Sequence, residues 1–121
     1  MPPKMVAGLG RVVIETALFD PYFNENWHMQ LSERVALCYV VDRAKPDISI
    51  EIGTFLGGSL RPIAAASCQV YTFDIDDRTL PGFSNVSFIA GNSTETLPPI
   101  IDQINASEER EINFILIDGD H

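Results

Sequence analysis

The sequence has few basic residues, few cysteines and no long apolar run. It contains eight lysines and arginines against 17 aspartates and glutamates, which gives a formal net charge of −9. This excess of acid disfavours nucleic acid and anionic membrane surfaces as partners, although the same charge also serves plain solubility. No run approaches the roughly 18 apolar residues that a membrane-spanning helix needs. The sequence therefore predicts a protein that binds neither nucleic acid nor membrane.

The two cysteines, Cys38 and Cys68, lie in or just after apolar helical stretches. Such placement is typical of buried thiols in a reducing compartment rather than of a disulfide or a metal site. The sequence opens without a recognisable signal segment. We therefore expect a cytoplasmic protein in which residues 1–31 form a helical or loop segment and residues 32–121 form one small domain.

What the sequence does contain is an alternation of strand and helix patterns. Apolar, β-branched and aromatic runs predict four strands, at residues 48–52, 69–74, 86–90 and 112–117. Helices are predicted from an N-cap at Ser32 to Ala44, from an N-cap at Ser59 to about Ser67, and from Ser93 or Thr94 with Pro98–Pro99 in the first turn. Strand, turn, helix and strand make a βαβ unit, so the pattern indicates an α/β fold with a parallel sheet.

The stretch from Ile48 to Ser59 carries the strongest local signal. Its strand leads into three glycines within six residues, Gly53 to Gly58, and a hydroxyl residue then opens an alanine-rich helix. Glycine adopts positive φ angles and allows backbone or ligand to come close. A helix start offers unpaired N–H groups. The stretch therefore predicts a site for a polar or anionic small molecule at the carboxyl end of the first strand.

Each predicted strand ends in polar or acidic residues. They are Glu51 and Gly53, then Asp74 and Asp76, then Gly91, Asn92 and Ser93, and finally Asp118, Asp120 and His121. The carboxyl ends of parallel strands share one edge of a sheet, where ligands bind, although solvated loops are polar too. Asp74 lies 21 residues after Gly53, the spacing at which an acid accepts hydrogen bonds from ribose hydroxyls. The glycine spacing is not G-x-G-x-x-G, which disfavours NAD and FAD.

Four motifs in order resemble class I S-adenosylmethionine-dependent methyltransferases. They are residues 51–59 (EIGTFLGGS), 71–76 (YTFDID), 91–93 (GNS) and 116–121 (LIDGDH). The resemblance covers residues 32–121 and is greatest to small-molecule O-methyltransferases of the catechol and caffeoyl-CoA type and to a related branch with an Ile-Asp-Gly-Asp-His ending. It implies a Rossmann-like open sheet of order 3-2-1-4, incomplete relative to the seven-stranded family fold, and methyl transfer to a small molecule.

The resemblance also implies roles for individual residues. The implied cofactor-binding residues are Glu51, Gly53, Thr54, Phe55, Gly57, Ser59, Asp74, Asn92, Ser93 and Asp118. Of these, the turn after Glu51 would hold the methionine part, Ser59 its carboxylate, Asp74 the ribose, and Asn92 with Ser93 the adenine. Implied catalytic residues are Asp118, Asp120 and His121, with His121 as a general base or, alternatively, a chain-end residue without a role. Asp118 would also bind Mg²⁺ in a site that lacks its further ligands.

Residues 112–117 form an almost wholly apolar strand that the implied sheet leaves at its edge. Such an edge pairs with another chain, and a second copy or another partner is expected to cover it. Two other functions compete with methyl transfer. One is a non-catalytic cofactor-binding or assembly fragment, and the other is a nicotinamide-dependent oxidoreductase. The motifs do not specify the methyl acceptor.

Overall fold

The computed structural model describes residues 31–55 and 57–117. In chain order the elements are α1 (Leu31–Ala44), β1 (Ile48–Ile52), α2 (Leu60–Ala66), β2 (Gln69–Asp74), β3 (Val86–Ala90), α3 (Ser93–Ser107) and β4 (Ile112–Ile117). All four strands have the bounds that the sequence predicts. Residues 1–30 and the predicted site residues Asp118, Asp120 and His121 lie outside the described part, so the division at residue 31 stays a prediction.

The four strands form one parallel sheet in the order β3-β2-β1-β4. This confirms the predicted α/β, Rossmann-like open sheet. The chain moves outward from β1 through β2 to β3, and it then returns to place β4 on the other side of β1. The strand order therefore reverses between β1 and β4. In open α/β sheets, ligands bind beyond the carboxyl ends of the strands at such a reversal.

Two layers of helix cover the sheet. On one face, α1 and α2 bury a cluster made of Leu37, Cys38, Val41, Leu60, Ile63, Ala64, Ala66 and Val70. On the other face, α3 packs Leu97, Ile100 and Ile101 against Ile50, Ile52 and Phe73. All five residues of β1 are buried, as expected for a central parallel strand. The core therefore fixes the position of the turn that follows β1.

The carboxyl half of strand β4 is covered on one face only. Its residues alternate between half-buried and exposed along its length. Phe114 and Leu116 pack toward the α1 and α2 layer, while Ile115 and Ile117 are 54% and 64% exposed. An almost wholly apolar run is typical of a strand covered on both faces. Here the face that carries Ile115 and Ile117 is covered only at Ile112, which packs on the same cluster as the apolar residues of α3.

Two of the three helix starts, those of α1 and α3, differ from the sequence predictions. Helix α1 begins at Leu31, which places Ser32 inside the helix rather than at its cap. Helix α2 begins at Leu60 with Ser59 at the predicted N-cap position, although the Ser59 side chain makes no capping hydrogen bond. Helix α3 is capped by Asn92, whose side chain accepts from the N–H of Thr94 at 3.0 Å. Asn92 takes this role because its backbone is extended where that of Ser93 is already helical.

The two prolines of α3 lie beyond its first turn. Because the helix begins at Ser93, Pro98 and Pro99 fall inside it. Each proline removes one N–H that would pair four residues back, which weakens the ladder at that point. Burial of the apolar residues around them on the sheet compensates, since Leu97 and Ile100 both pack on the core. None of the described helices has the length and apolar character required to cross a membrane.

Candidate functional site

The turn after β1 has a backbone that only certain residues adopt readily. Gly53 and Gly57 have φ angles of 106° and 84°, a region that L side chains rarely enter. The N–H of Gly53 donates to the carbonyl of Phe73 at 2.7 Å, and that of Gly57 donates to the carbonyl of Thr54 at 2.9 Å. These bonds tie the turn to the end of β2 and close it on itself. The two predicted glycines are therefore required by the path of the chain.

Phe55 lies in the same turn with a φ of 49°, the left-handed region. A non-glycine residue there costs on the order of 1–3 kcal/mol and persists only where its surroundings hold it. The hold comes from Asp74, whose Oδ2 accepts the N–H of Phe55 at 3.0 Å. The ring of Phe55 remains 38% exposed. An aromatic ring is thus presented at the carboxyl edge of the sheet, above the turn.

Asp74 is the last residue of β2 and a focus of the site. Its Oδ2 bonds the turn at Phe55, and its Oδ1 accepts the N–H of Asp76 at 3.1 Å. Its carbonyl accepts the N–H of Gly91 at 2.9 Å, at the end of β3. The residue therefore joins three strand ends. Sequence spacing predicted an acid here, and the structure brings it into direct contact with the glycine turn.

A buried polar network lies beneath the turn. Glu51 is fully buried, and its Oε1 accepts the hydroxyl of Thr72 at 2.7 Å. Its Oε2 accepts the hydroxyl of Ser59. Thr54 lies 2.6 Å from Thr72, oxygen to oxygen. Because the Thr72 proton goes to Glu51, the Thr54 hydroxyl must be the donor of that bond.

This network changes the interpretation of two predicted site residues. Glu51 and Ser59 are directed at each other under the turn, and both are buried. Ser59 occupies the predicted N-cap position of α2. Its hydroxyl makes no capping hydrogen bond because it donates to the buried Glu51 side chain. Their contact with a cofactor stays a prediction. What the structure does show is that they hold Thr54 and the glycine turn from below.

The end of β3 contributes the third part of the site. Asn92 and Ser93 follow Gly91, whose N–H bonds Asp74. The Asn92 side-chain oxygen accepts from both the N–H and the hydroxyl of Thr94, at 3.0 and 2.8 Å. A Cβ placed on Gly91 would lie 3.2 Å from the Thr96 side chain. The strand end is therefore held in one conformation beside Asp74.

Sequence reasoning missed two residues of this site, Thr72 and Arg78. Thr72 pairs with Glu51 in the parallel register, and aligning the two predicted strands from their first residues would have placed them together. Arg78 lies 3.8 Å from Asp74, Nε to Oδ1, and 3.3 Å from Asp76, Nη2 to Oδ2. Its guanidinium carbon is 5.4 Å from the centre of the Phe55 ring. A single basic residue among the acids of this loop was the available signal.

The loop after β2 is acidic despite Arg78. Asp74, the last residue of β2, is followed by Ile75 and then by Asp76 and Asp77. The hydroxyl of Thr79, followed by its backbone N–H, holds the pKa of Asp77 below its ordinary value. Three carboxylates against one guanidinium favour hydroxyl donors or a cationic ligand over a phosphate. Across the part of the chain that the structure describes, no three metal-ligating side chains cluster.

In comparisons with known proteins, no family model and no curated protein matches this chain. The structure brings the predicted residues Gly53, Thr54, Phe55, Gly57, Asp74, Asn92 and Ser93 to one edge of the sheet, and it places Glu51 and Ser59 beneath them. The predicted Asp118, Asp120 and His121 lie outside the described residues. What the chain binds is therefore inferred from the turn and the strand ends alone.

Proposed function

We propose that this chain binds S-adenosylmethionine and serves methyl transfer to a small-molecule acceptor. One observation carries the proposal: the carboxylate at the end of β2, Asp74, accepts the N–H of Phe55 in the glycine turn after β1 at 3.0 Å. This contact lies at the carboxyl edge, next to the reversal in strand order between β1 and β4. The spacing of Asp74 predicts that it binds ribose hydroxyls, and the resemblance implies the same role for Asp74 and assigns the turn to the methionine part.

The residues present fit such a cofactor in chemical terms. The carboxylate of Asp74 can accept from two vicinal ribose hydroxyls beside its two backbone bonds. The exposed ring of Phe55 offers a surface to pack against. Asn92 and Ser93 stand at the end of the neighbouring strand, where the adenine is expected. The bound cofactor supplies a methyl group on a positively charged sulfur, and the surrounding acids suit that charge.

The same features disfavour a dinucleotide. A diphosphate needs a cradle of N–H groups and little negative charge nearby. This turn is bounded by Asp74 and followed by Asp76 and Asp77, and α2 behind it has only seven residues. A nicotinamide-dependent oxidoreductase is therefore the weaker alternative. Methyl transfer itself requires mainly the alignment of acceptor, methyl carbon and sulfur.

Calorimetric titration with S-adenosylmethionine and S-adenosylhomocysteine tests the proposal. Asp74→Asn should weaken binding at least about 10-fold, because the amide offers one acceptor oxygen where the carboxylate offers two. Asp77→Asn is the matched control, since it removes the same charge from the same loop three residues on, at an exposed side chain. The affinity of Asp77→Asn for both ligands should stay within about twofold of wild type.

Other outcomes of this titration discriminate among the alternatives. Binding without formation of S-adenosylhomocysteine across a panel of small acceptors supports the non-catalytic cofactor-binding fragment. Binding of NADH in place of the methyl donor supports the oxidoreductase. No binding of any of these ligands, or equal affinity in all three proteins, would overturn the assignment of Asp74. A cytoplasmic location and an Mg²⁺ site at Asp118 remain parts of the same proposal.

A second copy or another partner is proposed to cover the edge of β4. The support is the exposure of Ile115 and Ile117 on a strand that pairs with β1 alone among the described strands. Strand β4 has no charged residue between Ile112 and Ile117, so pairing with its own copy meets no like charges within the strand. Gel filtration of the chain tests this, and a monomer at all working concentrations would contradict it.

A further inference from the structure

One arginine contacts both groups that the proposed cofactor needs. The guanidinium of Arg78 lies over the Phe55 ring at 5.4 Å and opposite Asp74 at 3.8 Å. It also reaches Asp76, with Nη2 donating to Oδ2 at 3.3 Å. The Arg78 side chain is 32% exposed, so water can solvate the guanidinium when it moves away from Asp74. Arg78 is therefore positioned at the site without being locked into it.

The acceptor sites of Asp74 show what Arg78 competes for. Each carboxylate oxygen accepts two hydrogen bonds. Oδ2 accepts one from Phe55 and Oδ1 accepts one from Asp76, which leaves one site on each oxygen. A pair of vicinal hydroxyls needs both of these sites. The guanidinium faces Oδ1, so it stands where the second hydroxyl has to donate.

The interaction of Arg78 with Asp74 is weak. Its Nε is buried yet has no hydrogen-bond acceptor among the described residues, and 3.8 Å to Oδ1 is an ion pair rather than a hydrogen bond. A partly exposed ion pair of this kind contributes little and is screened by salt. A ligand that brings hydroxyls to Asp74 can therefore displace the guanidinium.

The Phe55 ring adds a second point of competition. The guanidinium over the ring gains a cation–π attraction. It also covers part of the surface that the proposed cofactor would pack against, since the ring is only 38% exposed. Binding then requires Arg78 to leave the ring as well as the carboxylate.

We infer that Arg78 competes with the bound nucleoside for Asp74 and Phe55, and so sets the affinity of the site. The inference rests on the proposed function. On this inference, Arg78 lowers the affinity for the ligand and does not contact the bound ligand. Affinity should rise with ionic strength in the wild type, because salt weakens the pair that has to be broken.

Calorimetric titration with S-adenosylhomocysteine tests this inference. Arg78→Ala should bind about 3- to 10-fold more tightly than wild type, and its affinity should lose the rise with salt. Arg78→Gln removes the charge but keeps a polar side chain, and it should also bind about 3-fold more tightly than wild type. It therefore serves as the measurement if the alanine variant does not fold.

Arg43→Ala is the matched control. Arg43 also lies over an aromatic ring, 4.7 Å from the centre of Tyr39, and its removal changes the net charge equally. It is at the end of α1, close in sequence to the start of β1 and hence at the opposite edge of the sheet. The affinity of Arg43→Ala for S-adenosylhomocysteine should stay within about twofold of wild type.

The other outcomes each overturn something different. Weaker binding by Arg78→Ala than by Arg43→Ala overturns the inference and makes Arg78 a residue that holds the ligand. Equal affinity in both variants and wild type overturns the inference while the proposed cofactor stands. No binding by any of the proteins at millimolar ligand overturns the proposed function and the inference with it.

Discussion

Strands β1 and β4 are neighbours of similar composition with different surroundings. They pair in parallel, and Ile50 lies opposite Ile115 in the register. Ile50 is fully buried, whereas Ile115 is 54% exposed. The difference comes from position, because β1 has a strand on each side and helices on both faces, while β4 is an edge strand whose carboxyl half is covered from one layer. An apolar run thus predicts a strand without predicting its burial.

The central position also allows β1 to carry a buried acid. Glu51 is opposite Thr72 on one side and Leu116 on the other. Thr72 supplies a hydroxyl, and Ser59 supplies another from the following turn. A buried carboxylate is tolerated only with such partners. The same acid at an edge would face water and hold nothing in place.

The largest expected effect on stability is at Ile50, which lies opposite Ile115 in the register. Ile50→Ala should lower the free energy of unfolding by about 3–4 kcal/mol, because it leaves a cavity among Ile52, Phe73 and the apolar side chains of α3. Ile115→Ala should cost under about 1 kcal/mol, since much of that side chain is already in water. Urea denaturation of both variants measures the difference. Equal losses would show that a partner covers β4 in solution.

A smaller effect is expected for the network under the glycine turn. Thr72→Val should cost about 2–3 kcal/mol, because it removes the donor to Glu51 Oε1 and the acceptor for Thr54 while keeping the shape of the side chain. Thr72→Ser retains the hydroxyl and should cost roughly 1 kcal/mol for the lost methyl group. Denaturation again provides the measurement. A valine variant as stable as the serine variant would show that the hydroxyl contributes nothing.

The smallest expected effect on stability concerns Cys38, which lies under the covered face of β4. Phe114 and Leu116 pack on the cluster that contains Cys38, and burial raises the pKa of the Cys38 thiol from 9.0 to about 11. A pKa raised on folding means that the contribution to stability is complete below pH 9 and is lost as the pH rises through 11. Between pH 8 and pH 10 the wild type should lose about 1.4 kcal/mol relative to Cys38→Ala.

Denaturation curves of both proteins at the two pH values measure this loss. Parallel pH profiles would show that water reaches Cys38 and that the α1 layer is open over β4. The half-buried Cys68 supplies an internal check, since a thiol reagent at neutral pH should modify it before Cys38. The reverse order would contradict the burial of Cys38.

Much of the fold could be predicted because strands are short and local. Ile48–Ile52 and Gln69–Asp74 are apolar or β-branched runs with polar ends, and a glycine turn and a helix between them dictate a parallel pair. Asp74 could be predicted from its spacing to Gly53, because a βαβ unit of this length brings the two strand ends together. Helix starts were less accurate, since Asn92, Ser93 and Thr94 are all capable caps and differ only in backbone conformation.

The sequence by itself determined the four strands, their parallel pairing and the acid that meets the glycine turn, because these follow from periodicity and chain connection. Only the tertiary structure decided which apolar strand is buried and where each polar side chain is directed. Ser59 is directed toward Glu51 rather than toward its own helix, and Arg78 lies on Phe55 and Asp74. Such choices depend on partners from distant parts of the chain, whose positions no local pattern contains.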